Sequence, residues 1–313
     1  MTRHSAARRA SPTLPTRCGV TLRRSACGLA CAAVLAAHAT ENGLTTAAAG
    51  AEGFLAGALP PAGLYGLVYV NHYSATRFNG GDGQAAIPGF SVKADAVVGR
   101  LLYMAQGEVL GGQPGIYGVL PVAKVSLEAA GASGSHTGLG DVEIGPLVAW
   151  HHSPQLHTAA ALAVVLPTGD YDKTRMVNTG NHITTWRPVF VASYLGATVD
   201  ASAKITYSIN GKNSATDYQS GNYWHADFNL GARVAPQWQL GLQGYLIRQT
   251  GDDEQAGAKV ADGMRTRVTA LGPALRWQAN PASPSLEVRW QQESGARWHS
   301  QGNALWLKAV MAL

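Results

Sequence analysis

Val199-Asp200-Ala201-Ser202-Ala203-Lys204-Ile205-Thr206-Tyr207-Ser208-Ile209 alternates without a break: every odd residue is apolar and every even one polar. Successive side chains of a strand point to opposite faces, so a period of two writes one apolar and one polar face. Trp224-His225-Ala226-Asp227-Phe228-Asn229-Leu230-Gly231-Ala232-Arg233-Val234 repeats the pattern with its even positions apolar. Trp238, Leu240 and Leu242 oppose Gln239, Gly241 and Gln243, and Leu286, Val288 and Trp290 oppose Glu287, Arg289 and Gln291. Val142, Ile144 and Val148 likewise oppose Asp141 and Glu143.

Working outward, strand segments are expected near 64–78, 90–106, 114–130, 138–152, 155–166, 184–196, 198–210, 221–234, 237–249, 264–278, 284–293 and 302–313. Their connections alternate. Those at 152–155, 196–198 and 235–237 are short, and those at 79–88, 167–184, 211–220 and 251–263 are long. An even number of antiparallel strands with tight turns at one end and longer loops at the other is the pattern of an outer-membrane barrel. A soluble sandwich shares the alternation but needs no such asymmetry. Aromatic residues near strand ends (Tyr65, Tyr103, Trp150, Trp186, Trp224, Trp238, Trp277, Trp306) fit interfacial girdles. The fold expected is all-β: a closed antiparallel up-and-down transmembrane barrel of about twelve strands. Val268 and Ala270 fall out of phase with Leu275 and Trp277, which predicts a bulge at Gly272-Pro273.

The N-terminus reads as a secretory leader. Arg3, Arg8, Arg9, Arg17, Arg23 and Arg24 precede a short apolar run, Ala26 to Ala37, and Ala37-His38-Ala39 is a cleavage tripeptide. The expected organisation is a signal peptide over 1–39, a short periplasmic segment over 40–60 and the barrel over 61–313. Gly28-Leu29-Ala30-Cys31 resembles a lipoprotein box but lacks Leu three residues before the Cys. All three cysteines (Cys18, Cys27, Cys31) lie in the leader, which excludes disulfides and Cys-based metal sites from the mature chain. The leader also takes six of the 24 Lys and Arg and none of the 19 Asp and Glu, leaving 18 against 19 and a net charge of −1. A basic, nucleic-acid-binding reading therefore falls away.

If the apolar set faces lipid, the charged set lines the lumen. The candidates are Asp141, Glu143, Asp200, Lys204, His225, Asp227, Arg233, Arg265, Arg267, Arg276, Glu287 and Arg289. Such charges either line an aqueous path or pair and fill the interior. Asp170 with Asp172, or Asp252, Asp253 and Glu254, offer carboxylates to a divalent cation, but their spacing matches no known cage. His72 and Ser74 share a strand face about 7 Å apart, long for a nucleophile and its base. Gly80-Gly81-Asp82-Gly83 is loop composition, without a strand-to-helix context for phosphate. No catalytic, cofactor or metal residue is assigned.

Several short stretches resemble, in order and spacing, the outer-membrane protein family named for the meta-cleavage (MetA) pathway of phenol degradation. They are Pro60-Pro61-Ala62-Gly63-Leu64-Tyr65, Gly138-Leu139-Gly140-Asp141-Val142-Glu143-Ile144-Gly145-Pro146, Leu166-Pro167-Thr168-Gly169-Asp170-Tyr171-Asp172 and Asn178-Thr179-Gly180-Asn181. Asp217-Tyr218-Gln219-Ser220-Gly221, Gly244-Tyr245 with Gln249 and Asp252-Asp253, and Leu271-Gly272-Pro273 complete the set. The resemblance runs from about residue 58 to the end. It implies a Gram-negative outer-membrane channel for passive uptake of small hydrophobic or aromatic compounds, associated with aromatic catabolism. The partners implied are the bilayer, such solutes and the barrel-assembly machinery. The chain departs from the usual terminal aromatic residue, ending in Leu313, although Leu305, Leu307, Ala309, Met311 and Leu313 keep the alternation. The alternatives are a plugged barrel with a structural or adhesive role and, further off, a lipid-modifying enzyme.

Overall fold

The computed structural model describes residues 1–2 and 45–313. The leader, its cleavage site and residues 40–44 lie outside the described residues. Strands β1 (Gly63–Asn79), β2 (Ser91–Met104), β3 (Gln113–Ala129), β4 (Ala132–Leu139), β5 (Glu143–His151), β6 (Leu156–Val165), β7 (Thr185–Leu195) and β8 (Val199–Asn210) come first. Two-residue strands β9 (Lys212–Asn213) and β10 (Tyr218–Gln219) precede β11 (Tyr223–Ala235) and β12 (Trp238–Gln249). The chain continues through β13 (Glu254–Gln255), β14 (Ala258–Lys259), β15 (Arg267–Gln278), β16 (Ser285–Arg297) and β17 (His299–Ala312).

Every long strand pairs antiparallel with its neighbour in sequence, and the first pairs with the last. Val70 of β1 faces both Val97 of β2 and Leu307 of β17. Counting β4 and β5 as one interrupted strand, the sheet is a closed barrel of twelve strands. Val70, Val97, Leu120, Phe190, Ile205, Leu230, Leu242, Leu271 and Val288 point outward and are exposed. An exposed apolar band of this kind has lipid as its natural solvent, and it places the barrel in the outer membrane. Trp186, Trp224, Trp238 and Tyr103 stand on that face. Trp306 is buried inside instead, edge-on to Tyr69, because its even position puts it opposite Leu305 and Leu307.

The alternation of short and long connections breaks at two loop-side hairpins. β3 and β4 meet through Ala130 and Gly131 alone, both at positive φ, and β16 and β17 through Trp298. Two consecutive positive-φ residues match the twist of a tight hairpin. Sequence patterning set both regions as loops. Their strand extensions, with Ser133, Ser135 and Thr137 or Ser294 and Gln301, carry no apolar set to betray them. At Gly272-Pro273 there is no bulge. β15 keeps one register with β12 from Arg267 to Trp277. Val268 and Ala270 face inward, packing with Tyr223, Tyr245 and Ile247.

One-residue shifts lie elsewhere, at Arg267–Thr269 against β16, at Ala75–Phe78 against β17, at Arg233–Ala235 against β12 and between β4 and β5. β4 and β5 pair with successive halves of β3 in registers that differ by one, and Gly140, Asp141 and Val142 form the break. The 167–184 loop seals it. Asp141 accepts from the Gly169 amide at 2.9 Å and from the Asn181 amide and Nδ2 at 2.7 and 3.2 Å. Asp170 N–H bonds Leu139 O at 2.9 Å. A Cβ on Gly180 would stand 2.6 Å from the Gly169 carbonyl carbon, so only glycine permits this approach. Three stretches that carried the family resemblance thus converge on one junction. Replacing Asp141 by Ala removes three charge-assisted bonds, a local loss of about 2 kcal/mol or more. Limited proteolysis should then cut within 167–184 roughly 30-fold faster with the barrel intact.

On the loop side, β9, β10, β13 and β14 make a small four-stranded sheet. Beneath it Asp253 is buried, accepting from Tyr218 Oη, Gly221 N and Gln249 Nε2, each at 2.7 Å. Burial pushes its carboxyl up to about 6 despite these donors. A folded-state pKa above the unfolded value means that the folded loops hold the proton longer. Loop stability should therefore rise as pH falls from about 6 toward the unfolded value near 4. Hydrogen exchange across 250–266 checks this: protection increases on acidification in the wild type, and Asp253→Asn abolishes the dependence.

Candidate functional site: a two-faced lumen and its N-terminal segment

Sequence reading sets residues 40–60 in the periplasm. In the structure, the described part of that stretch, 45–59, runs through the barrel interior from the loop side toward the start of β1. It can do so because nine of these fifteen residues are Ala or Gly, which lets its backbone approach the wall. A Cβ on Gly57 would lie 2.9 Å from backbone atoms of Ala192 and Ser193, and the Gly57 amide donates to Ser193 Oγ at 2.8 Å. The amides of Gly50 and Glu52 both donate to Asp227, at 2.8 and 3.1 Å. Arg289 donates to Ala51 O, and Phe54 lies over Gly231 and Gly241.

Glu52 stands at the centre. Its carboxylate accepts from Arg100 Nη1 at 2.7 Å, Lys308 Nζ at 3.2 Å and Tyr69 Oη at 3.4 Å. Lys308 also meets Glu287 at 3.7 Å, and Glu287 meets Arg289 at 3.1 Å. On the other side the Arg100 guanidinium covers the Tyr117 ring at 4.3 Å. Tyr117 Oη donates to Glu143, Glu143 pairs with Arg187, and Arg187 donates to the Thr46 carbonyl. Buried ions require such partners. Together they tie the segment to nearly the whole circumference.

Of the twelve sequence candidates, Glu143, Asp200, Lys204, His225, Asp227, Arg276, Glu287 and Arg289 do face the interior. Asp200 accepts from Asn229 and Gln239, His225 Nε2 meets Asp227 at 2.8 Å, and Arg276 donates to Gln239. Four candidates are elsewhere. Asp141 is in the β4–β5 break, Arg233 is exposed at the periplasmic end of β11, and Arg265 is a loop residue paired with Asp252 at 2.6 Å. Arg267 points outward, because an even-phase inward set (Val268, Ala270) leaves odd positions to the exterior. Sequence reasoning missed Glu52, Arg100, Arg187, Glu293 and Lys308. Arg187 could have been found, since Trp186, Pro188 and Phe190 mark the outward phase around it.

The interior has two unlike walls. β8, β11, β12 and β16 present Asp200, Ser202, Thr206, Asn229, Gln239, Gln243, Glu287 and Gln291. β1 to β7, with Trp306, present Leu67, Tyr69, Val98, Leu102, Leu147, Ala149, Ala159, Ala163 and Val189 as one packed cluster, interrupted by the paired charges Arg100, Glu143 and Arg187. The N-terminal segment hydrogen-bonds to both walls: Tyr223, Asp227 and Arg289 on the polar one, Tyr69, Arg100, Arg187 and Ser193 on the other, with Lys308 between them. Among the described residues, three cavities remain inside the barrel. A loop-side cavity of about 200 Å³ is bounded by Phe78, Phe90, Val92, Val125 and Leu127. A central one of about 100 Å³ is lined by Val98, Ala161, Val189 and Val191 and also by the charged Glu52, Arg100, Glu143, Arg187 and Lys204. A periplasmic one of about 460 Å³ is bounded by Leu67, Leu102, Val310 and Met311 and by Glu52, Arg100, Arg276, Glu287 and Lys308.

The other chemical candidates are accounted for. His72 faces outward, and its Nδ1 lies 2.7 Å from Asp95. Asp252 is paired with Lys259 as well as Arg265.

Fold and lumen together define an outer-membrane β-barrel with an occupied, two-faced interior. The chain belongs to the family described as "Putative MetA-pathway of phenol degradation", whose model matches residues 75–309. Its fold is similar to that of an outer membrane channel from Pseudomonas putida F1, at 18% identity and TM-score 0.71, covering 82% of this chain and 97% of that one. The β domain of the Bordetella autotransporter BrkA matches at 11% identity and TM-score 0.51, covering 81% of this chain and all of that one (100%). No curated protein sequence matches the chain.

Proposed function

We propose that the barrel passively admits small apolar molecules, one-ring aromatics among them, along the seam between the N-terminal segment and the apolar wall. The observation that carries this reading is the division of the lumen. The segment is tied to both walls, and the cavities it leaves keep an apolar lining on the β1 to β7 side: Val98, Leu147, Val189 and Val191 in the central one, and Phe78, Phe90, Val125 and Leu127 in the loop-side one. A hydrophilic solute in the loop-side cavity would meet Phe78, Phe90, Val125 and Leu127, which return no hydrogen bonds for its lost water. An apolar solute meets a wall that suits it. The family description supports an association with aromatic catabolism. Passive movement follows from the absence of a nucleotide-binding motif in the sequence.

Proteoliposomes holding the full chain should take up toluene- or phenol-sized solutes well above the protein-free rate, and hydrophilic solutes of equal size at near background. Equal rates for both classes, or no acceleration, would sink the proposal. A second reading, a structural or adhesive barrel, draws on the filled lumen and the ordered loop sheet; the same assay separates the two.

A further inference from the structure

Arg248, Arg267 and Arg297 form one cross-strand row on the outside of the barrel. Arg248 of β12 is the register partner of Arg267 of β15, which is the partner of Arg297 of β16. All three are exposed, and among the described residues none makes an ion pair or a side-chain hydrogen bond. Directly opposed strand residues have Cβ atoms about 5 Å apart, and like charges there repel. Nearby loop cations are treated differently: Lys259 and Arg265 share Asp252. A few strands away the barrel mixes its outward charges, with His72 paired to Asp95 and Lys124 in register beside it. A row of three cations without a carboxylate therefore implies an anion supplied from outside.

Its height says which anion. The row continues sideways into Trp224 and Tyr207, whose rings lie 4.7 Å apart and tilted by 47°, as an aromatic girdle would. On the same strands Trp238 and Trp277 pair at the periplasmic end. Ten residues of strand at about 3.3 Å each, tilted by about 40°, rise roughly 25 Å, the height of the apolar band of such barrels. Leu240, Leu242 and Leu246 with Leu275 and Leu271 fill the interval. The arginines thus sit at the headgroup level of the outer leaflet, with acyl-chain contacts directly below.

We infer that this row binds the phosphate groups of the outer-leaflet glycolipid, its acyl chains lying on the leucine surface beneath. Planar guanidinium groups suit phosphate bidentately. Three in a row supply directly the countercharge that divalent cations otherwise provide to such lipids.

The test is retention of lipid A by the purified full-length barrel in non-ionic detergent, read by native mass spectrometry with EDTA present. Wild type should retain diphosphoryl lipid A and lose the dephosphorylated form. The triple variant Arg248→Gln, Arg267→Gln, Arg297→Gln should bind the diphosphoryl form roughly 100-fold more weakly. Melting in lipid-free detergent checks that the variant folds and supplies a second readout. With the repulsion removed it should melt at or above the wild-type temperature, and only wild type should gain stability from lipid A. Equal retention by variant and wild type, retention that ignores phosphorylation, or retention that needs a divalent cation would overturn the inference.

Discussion

Deleting residues 40–59 should turn a nearly closed barrel into an open one. Conductance in planar bilayers, and liposome permeability to small sugars, should rise on the order of tenfold or more, since a twelve-stranded barrel has an interior wider than its own side chains fill. The basis is positional. Residues 45–59 occupy the space between walls, and the frame does not depend on them, because each strand pairs with two neighbours around the full circle. Retained heat-modifiable mobility on gels would show the frame intact. The exposed polar wall, with Asp200, Asp227, Gln243 and Gln291, would then meet water, and selectivity against hydrophilic solutes should vanish. A deletion variant that folds and conducts no better than wild type would mean that the segment does not control the lumen.

Glu52→Ala should have the next largest effect. It strips Arg100 of its 2.7 Å partner and leaves Lys308 only the 3.7 Å contact with Glu287. Breaking a buried ion pair from one side costs about 3–5 kcal/mol, because the surviving charge stays buried and unpaired. The strand ladders are separate from this cluster, so the cost falls on docking of the segment. Amides of 45–59 should exchange roughly 100-fold faster or more, while those of β1 and β17 keep their protection. Adding Arg100→Gln to Glu52→Ala should recover part of the loss, as expected when the penalty is an orphaned charge. Unchanged exchange in the segment would place its anchorage elsewhere, on Asp227 and Arg289.

The strands were legible because a lipid-facing residue must be apolar and its neighbour need not be. Val199 to Ile209 shows this in full. Legibility ended where lipid ends. The extensions around Ser133 and Gln301 stand above the apolar band, and nothing there enforces a period of two. The interior was half legible. Asp227 and Glu287 stood out by phase, whereas Glu52 lies in an aperiodic Ala- and Gly-rich stretch that reads as a linker. Its role depends on long-range pairing with Arg100 and Lys308, which no local pattern encodes. The small residues that looked like a lead-in are what let the segment fit between two walls.

The claim that solute moves along the apolar wall is tested most directly by placing one charge on each wall. Proteoliposome uptake of a toluene-sized solute would be compared for wild type, Ala161→Lys and Gln239→Lys. Ala161 borders the central cavity on the apolar wall, and Gln239 is buried on the polar wall beside Asp200. The account predicts uptake at background for Ala161→Lys and near wild type for Gln239→Lys. Equal uptake by all three would contradict it.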